Sequence, residues 1–567
     1  DGSIKLKEHL LALQGTLGLT ADDIAAVLAD AGRTPDDALS LPNVSLLYRY
    51  GLLAKGLKLS VRELITLKQL SGLDPFKPLH TQPLQALNED HPFSQTLAFV
   101  EAAEAVKASG LKIEDLDYLL RHRFDPNGKY RPNPAATQAL LKTLNEGIRA
   151  IRAEHAVPDD PSTLSDEILQ QKLGLVLPAE VVTTFLAMLN GTVEYTAVQS
   201  GIVPADSLPS AAFADQPAIR AVTYNSTRQE QRLTFRGVLF YAQKNALKAA
   251  VNPALTQAQQ TLFADLLDDV QQQARAFFDL HLRKQSGSQP ESGFLENADY
   301  DLLFAPAPQG LTEAQQQAHE RQRRSRLAQA FLPFLQERLI RQFIVQTLTA
   351  QTGADAALVE SLVTDERLLQ GADGKSLLTA FTATAERGVS ATFFDSPDGS
   401  GLAQAASPIF ASADTRLKDR QDAAGNPLNA AGSARFDGYL EVATPGAYRF
   451  FIELDKQNAE AELRFAHLPE PVFIKGTAAN DNDTLGDQAG EFLELQAGVP
   501  YRFTLELKNL NGGQARLLVQ GETLAKGPLS QLKLYPATTR ETAERTWRLL
   551  GKSLQLVQSL GLSEREV

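Results

Sequence analysis

The stretch SLLYRYGLLAKGLKLSVRELITLKQLSGLDPF, residues 45–76, decides how most of this chain folds. Apolar side chains recur at helical spacing over Leu46–Leu57, so one stripe of a first helix is apolar. Ser60 then starts a second helix, because its side chain can accept the N–H of Glu63 while the Glu63 carboxylate reaches back to the N–H of Ser60. Gly72 ends that helix. The stretch predicts a helical hairpin with a short loop.

The same helix-start pattern recurs elsewhere in the chain. LGLTADDI at residues 17–24 and LGLSEREV at residues 560–567 repeat it, and SGLKIEDL at residues 109–116 is a degenerate copy with Lys112 at the capping position. The spacing between copies is irregular, which argues against a solenoid of fixed period. The pattern predicts a helical scaffold.

The bulk composition limits the classes of function. A chain of 567 residues is too long for one hydrophobic core, and about three structural units are expected. A net charge of −13 argues against a nucleic-acid partner. With no cysteine, the chain has no disulfide, thiol nucleophile or cysteine metal site. The absence of cysteine does not decide between an intracellular and an extracellular location. Because the sequence starts at Asp1-Gly2-Ser3 and ends within the first turn of a capped helix, we expect a fragment of a longer protein.

The period of the apolar residues divides the chain into three segments. Residues 4–387 predict an α-helical shell domain with a small irregular β subelement near 193–241. Residues 388–537 contain short β-branched and aromatic runs such as Tyr501–Lys508, which alternate as half-buried strands do. Residues 538–567 return to the helical pattern. The predicted fold class is therefore mainly α with an inserted antiparallel β-sandwich, whose two ends should lie close together.

Two of these helical segments resemble the A component of bacterial, mostly insecticidal, toxin complexes (TcA). The matching sequences are LSLPNVSLLYRYGLLAKGLKLSVRELITLKQLSGLDPF at residues 39–76 and SGLKIEDLDYLLRHRFDPNG at residues 109–128. The resemblance implies an α-helical shell interrupted by inserted β domains. It also implies a five-fold homo-oligomer that is secreted or displayed on the bacterial surface, attaches to a host receptor or glycan, and injects a toxic enzyme carried by the B and C components. This fragment would supply shell and surface to the rest of that chain.

The β segment resembles the lectin-like sandwich named after the anthrax protective antigen. The segment from Gly438 to Glu453, with GAYRFFIEL at residues 446–454, is similar to its core hairpin, and Gln531–Pro536 to its closing strand. Some sugar-binding relatives hold calcium with an Asp-Asp pair after this hairpin. Here the matching residues are Asp455 and Lys456, and a cation at that position repels calcium. Both residues are candidates for a ligand or receptor loop, but calcium-dependent glycan binding is not expected.

A sialidase activity is not expected either, although shells of this kind have been described as neuraminidase-like. Residues 396–401, SPDGSG, come nearest to a sialidase Asp box, but the glycine is misplaced and no aromatic residue follows. The only tryptophan, Trp547, lies in a predicted helix. We predict no catalytic residue, and we assign Asp395 and Asp398 to a candidate ligand or receptor loop.

A second acidic loop, DNDTLG at residues 481–486, is similar to a calcium loop. Its fifth position is Leu485 and its twelfth is Phe492, where calcium requires an oxygen ligand. A solvated acidic loop is the favoured interpretation, with Asp481 and Asp483 as further candidate ligand or receptor residues. The eight histidines show no His-Glu-x-x-His pattern. We expect no metal and no cofactor.

A basic stripe lies in the predicted long helix 312–352, which Pro333 is expected to kink or divide. The stripe consists of Arg321, Arg323, Arg324 and Arg326. One interpretation is a membrane or partner surface. The favoured one is a solvated helix face beside phenylalanines of the core.

Three functions follow from the sequence. The main hypothesis is a non-enzymatic structural and host-attachment segment of a TcA-like pore-forming toxin. The alternative is a carbohydrate-binding adhesin that grips sugar with loops such as residues 395–401 and 480–490. The weaker alternative is a sialidase-like hydrolase.

Overall fold

The computed structural model describes residues 4–77, 91–125, 128–285, 293–307, 310–404, 408–416, 425–426, 428–486 and 492–567. The chain is mainly α-helical with antiparallel β-structure inserted into it, which is the fold class that the sequence predicts. The helices are α1 (Leu10–Leu17), α2 (Ala21–Asp30), α3 (Leu41–Leu57), α4 (Val61–Ser71), α5 (Pro92–Ala108), α6 (Ile113–Arg121), α7 (Pro134–Glu154), α8 (Asp166–Leu173), α9 (Ala179–Leu189), α10 (Tyr241–Val251), α11 (Gln257–Phe277), α12 (Asp299–Phe304), α13 (Glu313–Thr352), α14 (Ala356–Thr364), α15 (Leu377–Ala383) and α16 (Ala537–Leu560).

In the described part of the chain the strands fall into two groups, three among the helices and twelve after residue 388. The strands are β1 (Glu194–Ser200), β2 (Ile219–Asn225), β3 (Glu230–Arg236), β4 (Val389–Phe394), β5 (Ile409–Phe410), β6 (Ser433–Glu441), β7 (Gly446–Leu454), β8 (Glu460–Phe465), β9 (Val472–Thr477), β10 (Asp483–Leu485), β11 (Leu493–Leu495), β12 (Tyr501–Lys508), β13 (Ala515–Gly521), β14 (Gly527–Pro528) and β15 (Lys533–Pro536).

The predicted hairpin forms as α3 and α4, and its capping box is confirmed. The Ser60 Oγ accepts the N–H of Glu63 at 3.2 Å, and the Glu63 Oε2 accepts the N–H of Ser60 at 2.8 Å. Thr20 and Asp23 form the same pair of bonds before α2, at 3.1 and 3.0 Å. Gly72 ends α4 in the left-handed conformation, with φ 71°.

The two other copies of the pattern differ in outcome: helix α6 begins at Ile113, directly after Lys112, whereas no helix follows Ser563. In each, the acid accepts the N–H of the capping residue: Asp115 from Lys112 at 3.2 Å, and Glu566 from Ser563 at 2.8 Å. The prediction that a helix begins at the last copy is wrong, because residues 564–566 form a turn and no helix is assigned there. A helix start needs following turns to stabilise its first one.

The structure contains two compact units. The first comprises residues 1–139, 357–361 and 544–567. Its core is the apolar side of α2, α3 and α4, with Leu47 and Leu64 fully buried. A polar contact joins these three helices: the Tyr50 hydroxyl donates to Asp30 Oδ2 at 2.7 Å, and Lys68 Nζ donates to the same oxygen at 2.8 Å.

The second unit comprises residues 140–356 and 362–543, and it contains both a helical core and a sandwich core. The predicted irregular β subelement near 193–241 is instead a regular three-stranded antiparallel sheet in the order β1-β3-β2, with one irregularity near Ile219. Its buried face packs on α11. Helix α13 continues unbroken through Pro333, so the proline does not divide it.

The sandwich consists of two antiparallel sheets whose buried faces form one core. The larger has the order β5-β4-β6-β12-β8-β9 with β15 on β6, and the smaller has the order β10-β7-β13-β14 with β11 on β7. Every second side chain of β12, from Phe503 to Leu507, is buried, as the alternation of the sequence predicts.

The two ends of the sandwich lie side by side, as expected of an insertion. The N–H of Gly388 donates to the carbonyl of Leu534 at 3.2 Å, and the hydroxyls of Ser390 and Thr538 are 2.9 Å apart. Because the sandwich and its neighbouring helices belong to one compact unit, the division at residues 387 and 538 stays a prediction. Among the described residues no single helix is long and apolar enough to cross a membrane; the bent pair Leu6–Leu17 and Ala21–Asp30 meets that test by length and composition only.

Candidate functional site: a polar cleft at one end of the β-sandwich

A polar cleft of about 340 Å³ opens where the last residues of β7 meet β10 on one side and β13 on the other. Leu454, the last residue of β7, pairs with Asp483 of β10 and with Ala515 of β13. The strand ends therefore place their following loops next to each other. The cleft is lined by Asp414, Arg416, Glu453, Leu454, Asp455, Asn482, Asp483, Thr484, Gln514, Ala515 and Arg516.

Asp455, a residue selected from the sequence, holds three segments together at this cleft. Its carboxylate Oδ2 accepts the N–H of Gln514 at 3.1 Å, and its own N–H donates to the carbonyl of Gln514 at 3.0 Å. Its carbonyl accepts the N–H of Asn482 at 3.1 Å. Asp455 thus ties the end of β7 to the start of β13 through its side chain and main chain, and to the loop before β10 through its carbonyl.

Asp483, a second residue selected from the sequence, faces the same cleft. Its carboxylate accepts the N–H of Ala479 at 2.6 Å and the N–H of Thr484 at 2.8 Å. The structure therefore brings Asp455 and Asp483 into one site, although 27 residues separate them in the sequence.

Four charged residues of the cleft were not found from the sequence. Glu453 and Arg516 lie opposite each other on β7 and β13 and form an ion pair of 2.5 Å. The alternation of apolar and polar residues along these two strands could have indicated this pair, because it places both side chains on the outer face of the sheet. Asp414 and Arg416 form a second pair, also of 2.5 Å. They lie outside any strand pattern, so the sequence held no local signal for them.

The lining of the cleft suits hydrogen bonding more than stacking. The four carboxylates of Asp414, Glu453, Asp455 and Asp483 against the two guanidiniums of Arg416 and Arg516 give a formal charge of 2 − 4 = −2. None of the described residues that line the cleft is aromatic. The cleft offers both hydrogen-bond donors and acceptors. Its volume lies at the lower end of the range of about 300–1,000 Å³ typical of small-ligand pockets. A ligand rich in hydroxyl groups fits this chemistry.

The cleft does not fit the calcium ion that the resemblance to sugar-binding sandwiches implies. Calcium takes six to eight oxygen ligands, mostly from carboxylates and carbonyls. Among the described residues, no group of three or more His, Asp or Glu side chains is arranged to hold a metal ion. The carboxylates of Asp455 and Asp483 instead accept N–H groups of the main chain.

Lys456 and Asp481, both selected from the sequence, lie beside the cleft and contact each other. Lys456 Nζ is 3.5 Å from Asp481 Oδ2. Asp481 Oδ1 accepts the N–H of Gln457 at 2.9 Å. The hydrogen bond from Gln457, followed by the charge of Lys456, holds the pKa of Asp481 below its usual value.

Asp395 and Asp398 are not part of the cleft. Asp395 accepts the amide of Gln404 at 2.7 Å, and Asp398 accepts the N–H of Ser400 at 3.0 Å. Hydrogen bonds from the side chain of Ser400 and then from its N–H lower the pKa of Asp398. Both carboxylates stabilise their own loop. The other loop predicted to bind sugar is residues 480–490, of which residues 487–490 lie outside the described residues.

The arginine stripe of α13 is used mainly inside the chain. Three of the four guanidiniums bind acceptors on neighbouring elements: Arg323 the carbonyl of Leu189 at 2.8 Å, Arg324 the carboxylate of Asp166 at 2.9 Å, and Arg326 the carboxylate of Asp299 at 2.6 and 2.9 Å. Arg321 is exposed. The favoured interpretation, a solvated helix face, therefore does not describe these three arginines, because their guanidiniums bind acceptors within the same chain. The contacts favour a role inside the fold over a partner surface.

Comparison with known proteins gives distant likenesses. No family model matches the chain, and a search of curated proteins found no match. Among solved structures, the chain is similar to a PA14 sugar-binding domain from an RTX adhesin, with 15% identity, 26% of this chain and 98% of that chain covered, and a TM-score of 0.21. It is also similar to the transport component C2-II of the C2-toxin from Clostridium botulinum, with 14% identity, 26% and 27% covered, and a TM-score of 0.19.

A third likeness is to an anti-sigma factor domain-containing protein from Clostridium clariflavum, with 19% identity and a TM-score of 0.21. The aligned part covers 27% of this chain and 48% of that protein, so the match spans about half of its length. TM-scores this low establish no family for the chain.

Proposed function

We propose that this chain is a non-enzymatic structural and host-attachment segment of a TcA-like toxin, and that the cleft of its β-sandwich binds a hydroxyl-rich glycan. The resemblance of residues 39–76 and 109–128 to the shell of TcA components supports the first part. The convergence of Asp455 and Asp483 with Gln514 and two arginine ion pairs supports the second.

The geometry of the cleft favours binding over hydrolysis. Glycoside hydrolysis needs a protonated acid and a second carboxylate on opposite sides of the scissile bond. Here the carboxylates already accept hydrogen bonds or pair with arginine, as Asp455 does with the N–H of Gln514 and Glu453 does with Arg516. These partners use the carboxylates to hold loops and strands around the cleft in place. We expect no release of sialic acid from a fluorogenic substrate.

The assembly around this segment is proposed from the resemblance alone. The remainder of the toxin chain would complete a five-fold homo-oligomer, secreted or displayed on the bacterial surface. The B and C components would join it, and a receptor or glycan of the host cell would be its ligand. Sedimentation of the chain in its natural full length would test the oligomer directly.

A glycan array on the full chain tests the attachment site. We expect selective binding that is lost in Gln514→Ala and in Thr484→Ala, since both side chains line the cleft. Lys475→Ala is the control, because Lys475 lies on β9 with its side chain 70% exposed and pairs with Glu462. An array without any signal, or binding that survives both cleft variants, would refute the proposal.

A further inference from the structure

We infer that the ammonium group of Lys456 takes the place of a bound divalent cation at this end of the sandwich, so that the cleft holds its shape and binds its ligand without metal. The part that concerns ligand binding rests on the function proposed above. The part that concerns the loops does not.

The contacts of Lys456 join two loops. Its Nζ reaches Asp481 Oδ2 at 3.5 Å, across from the turn that follows β7 to the loop that precedes β10. The main chain repeats the connection, since Gln457 N–H donates to Asp481 at 2.9 Å and Asn482 N–H donates to the carbonyl of Asp455 at 3.1 Å. The ammonium of Lys456 therefore neutralises the carboxylate of Asp481, which these hydrogen bonds hold where the two loops meet.

The stem of Lys456 is held in place by the main chain of the neighbouring hairpin. At Gly513 an added Cβ would lie 2.5 Å from Lys456 Cγ and 3.1 Å from Asp455 Cβ. Only glycine leaves room for the lysine stem to run this close to the hairpin. Packing thus directs the stem of Lys456, while 47% of the side chain stays exposed and the ammonium is held by its contact with Asp481.

The charges explain why one cation is needed here. Asp455 and Asp483 line the same cleft, and Asp481 is bonded to the turn that follows β7, so three like charges gather at the two loop ends. In loops of this composition a calcium ion commonly supplies the compensating charge. A lysine ammonium supplies one positive charge and three donors, needs no oxygen cage, and cannot be removed by a chelator.

Melting of the full chain in EDTA and in millimolar CaCl2 tests the inference. The wild-type chain should melt at the same temperature in both solutions, and its glycan binding should survive EDTA. A rise of the melting temperature with CaCl2, or loss of binding in EDTA, would overturn the inference. If the array is silent, the proposed function fails while the comparison of melting temperatures still decides this one.

A charge reversal makes the test sharper. Lys456→Asp places a third carboxylate beside Asp455 and Asp481, so its melting temperature should fall in EDTA and recover with CaCl2. Lys456→Met removes the charge without adding a ligand, and it should melt below the wild type in both solutions. Lys475→Asp is the matched control on β9 and should show no response to CaCl2. A Lys456→Asp chain that ignores CaCl2 would show that the ammonium does not occupy a cation position.

Discussion

At the scale of single residues, Gly147 of α7 shows how closely the helices of the second unit pack. A Cβ at this position would overlap the ring of Phe343 on α13. This contact could not be predicted from the sequence, because a lone glycine inside a helical pattern predicts only a weaker helix. Close approach of two helices at a glycine is a property of the tertiary packing.

Gly147→Ala should therefore destabilise the chain, by about 1–3 kcal/mol, because a methyl group forced into a packed site displaces its neighbours. Gly56→Ala is the control, since Gly56 lies in α3 with open space around it. Alanine should be neutral or stabilising there by up to about 1 kcal/mol. Thermal melting of both variants measures the difference. Equal melting temperatures would contradict the packing described for Gly147.

A second prediction at this scale compares Arg326, which is bonded within the chain, with Arg321, which is exposed. Arg326 donates two hydrogen bonds to Asp299, whose side chain is only 5% exposed. Arg326→Met leaves that carboxylate without its cation and should cost about 2–3 kcal/mol, below the value for a fully buried pair because Arg326 itself is partly exposed. Arg321→Met should change stability by less than about 0.5 kcal/mol. Denaturant unfolding of both variants checks the contrast, and a similar cost for both would restore the idea of a solvent-facing stripe.

At the scale of elements, repeating patterns were predictable and pairing across strands was not. The capping boxes at Ser60 and Thr20 were visible because both partners lie within three residues of each other. The cleft depends on contacts between residues far apart in the sequence, such as Asp455 with Gln514. Alternation predicts which face a side chain occupies, but the register that brings Glu453 opposite Arg516 is set by the whole sheet.

A network across β6 and β12 gives a pH prediction at this scale. Burial acts to raise the pKa of Asp437, but hydrogen bonds from Arg435 and Thr504, with the charges of Arg435 and Arg502, outweigh it and lower the pKa. A carboxyl with a lowered folded pKa stabilises the fold above its unfolded pKa of about 3.9. That contribution is lost as the pH falls through the lower folded value.

Asp437→Asn should therefore melt below the wild type at neutral pH, and the difference should shrink as the pH falls below about 4. Melting curves over a pH series measure it. Asp22→Asn is the control, because its side chain is 83% exposed and its nearest cation is 3.9 Å away. A difference between wild type and Asp437→Asn that stays constant with pH would contradict the network.

At the scale of the whole molecule, the change of period near residue 388 was the most informative feature of the sequence. It predicted an inserted β-structure, and the adjacency of Gly388 to Leu534 agrees with that prediction. The sequence did not indicate that sandwich and neighbouring helices would form one compact unit. Contacts between a helical segment and a segment of strands leave no periodic pattern in the sequence of either segment.

Replacement of residues 389–536 by a short glycine-serine linker should leave the helical part folded. The ends to be joined are already adjacent, and a short linker costs little entropy of closure. Far-UV circular dichroism should then show the helix signal retained and the strand signal lost. An aggregated or unfolded chain would mean that the helices depend on the sandwich.

Calorimetric titration of the strongest glycan from the array into the full chain tests attachment through the cleft most directly. The account predicts one binding site per chain, no heat of binding in Gln514→Ala, and unchanged binding in Lys475→Ala. Equal heats from the wild type and from Gln514→Ala would place the ligand elsewhere and contradict the account.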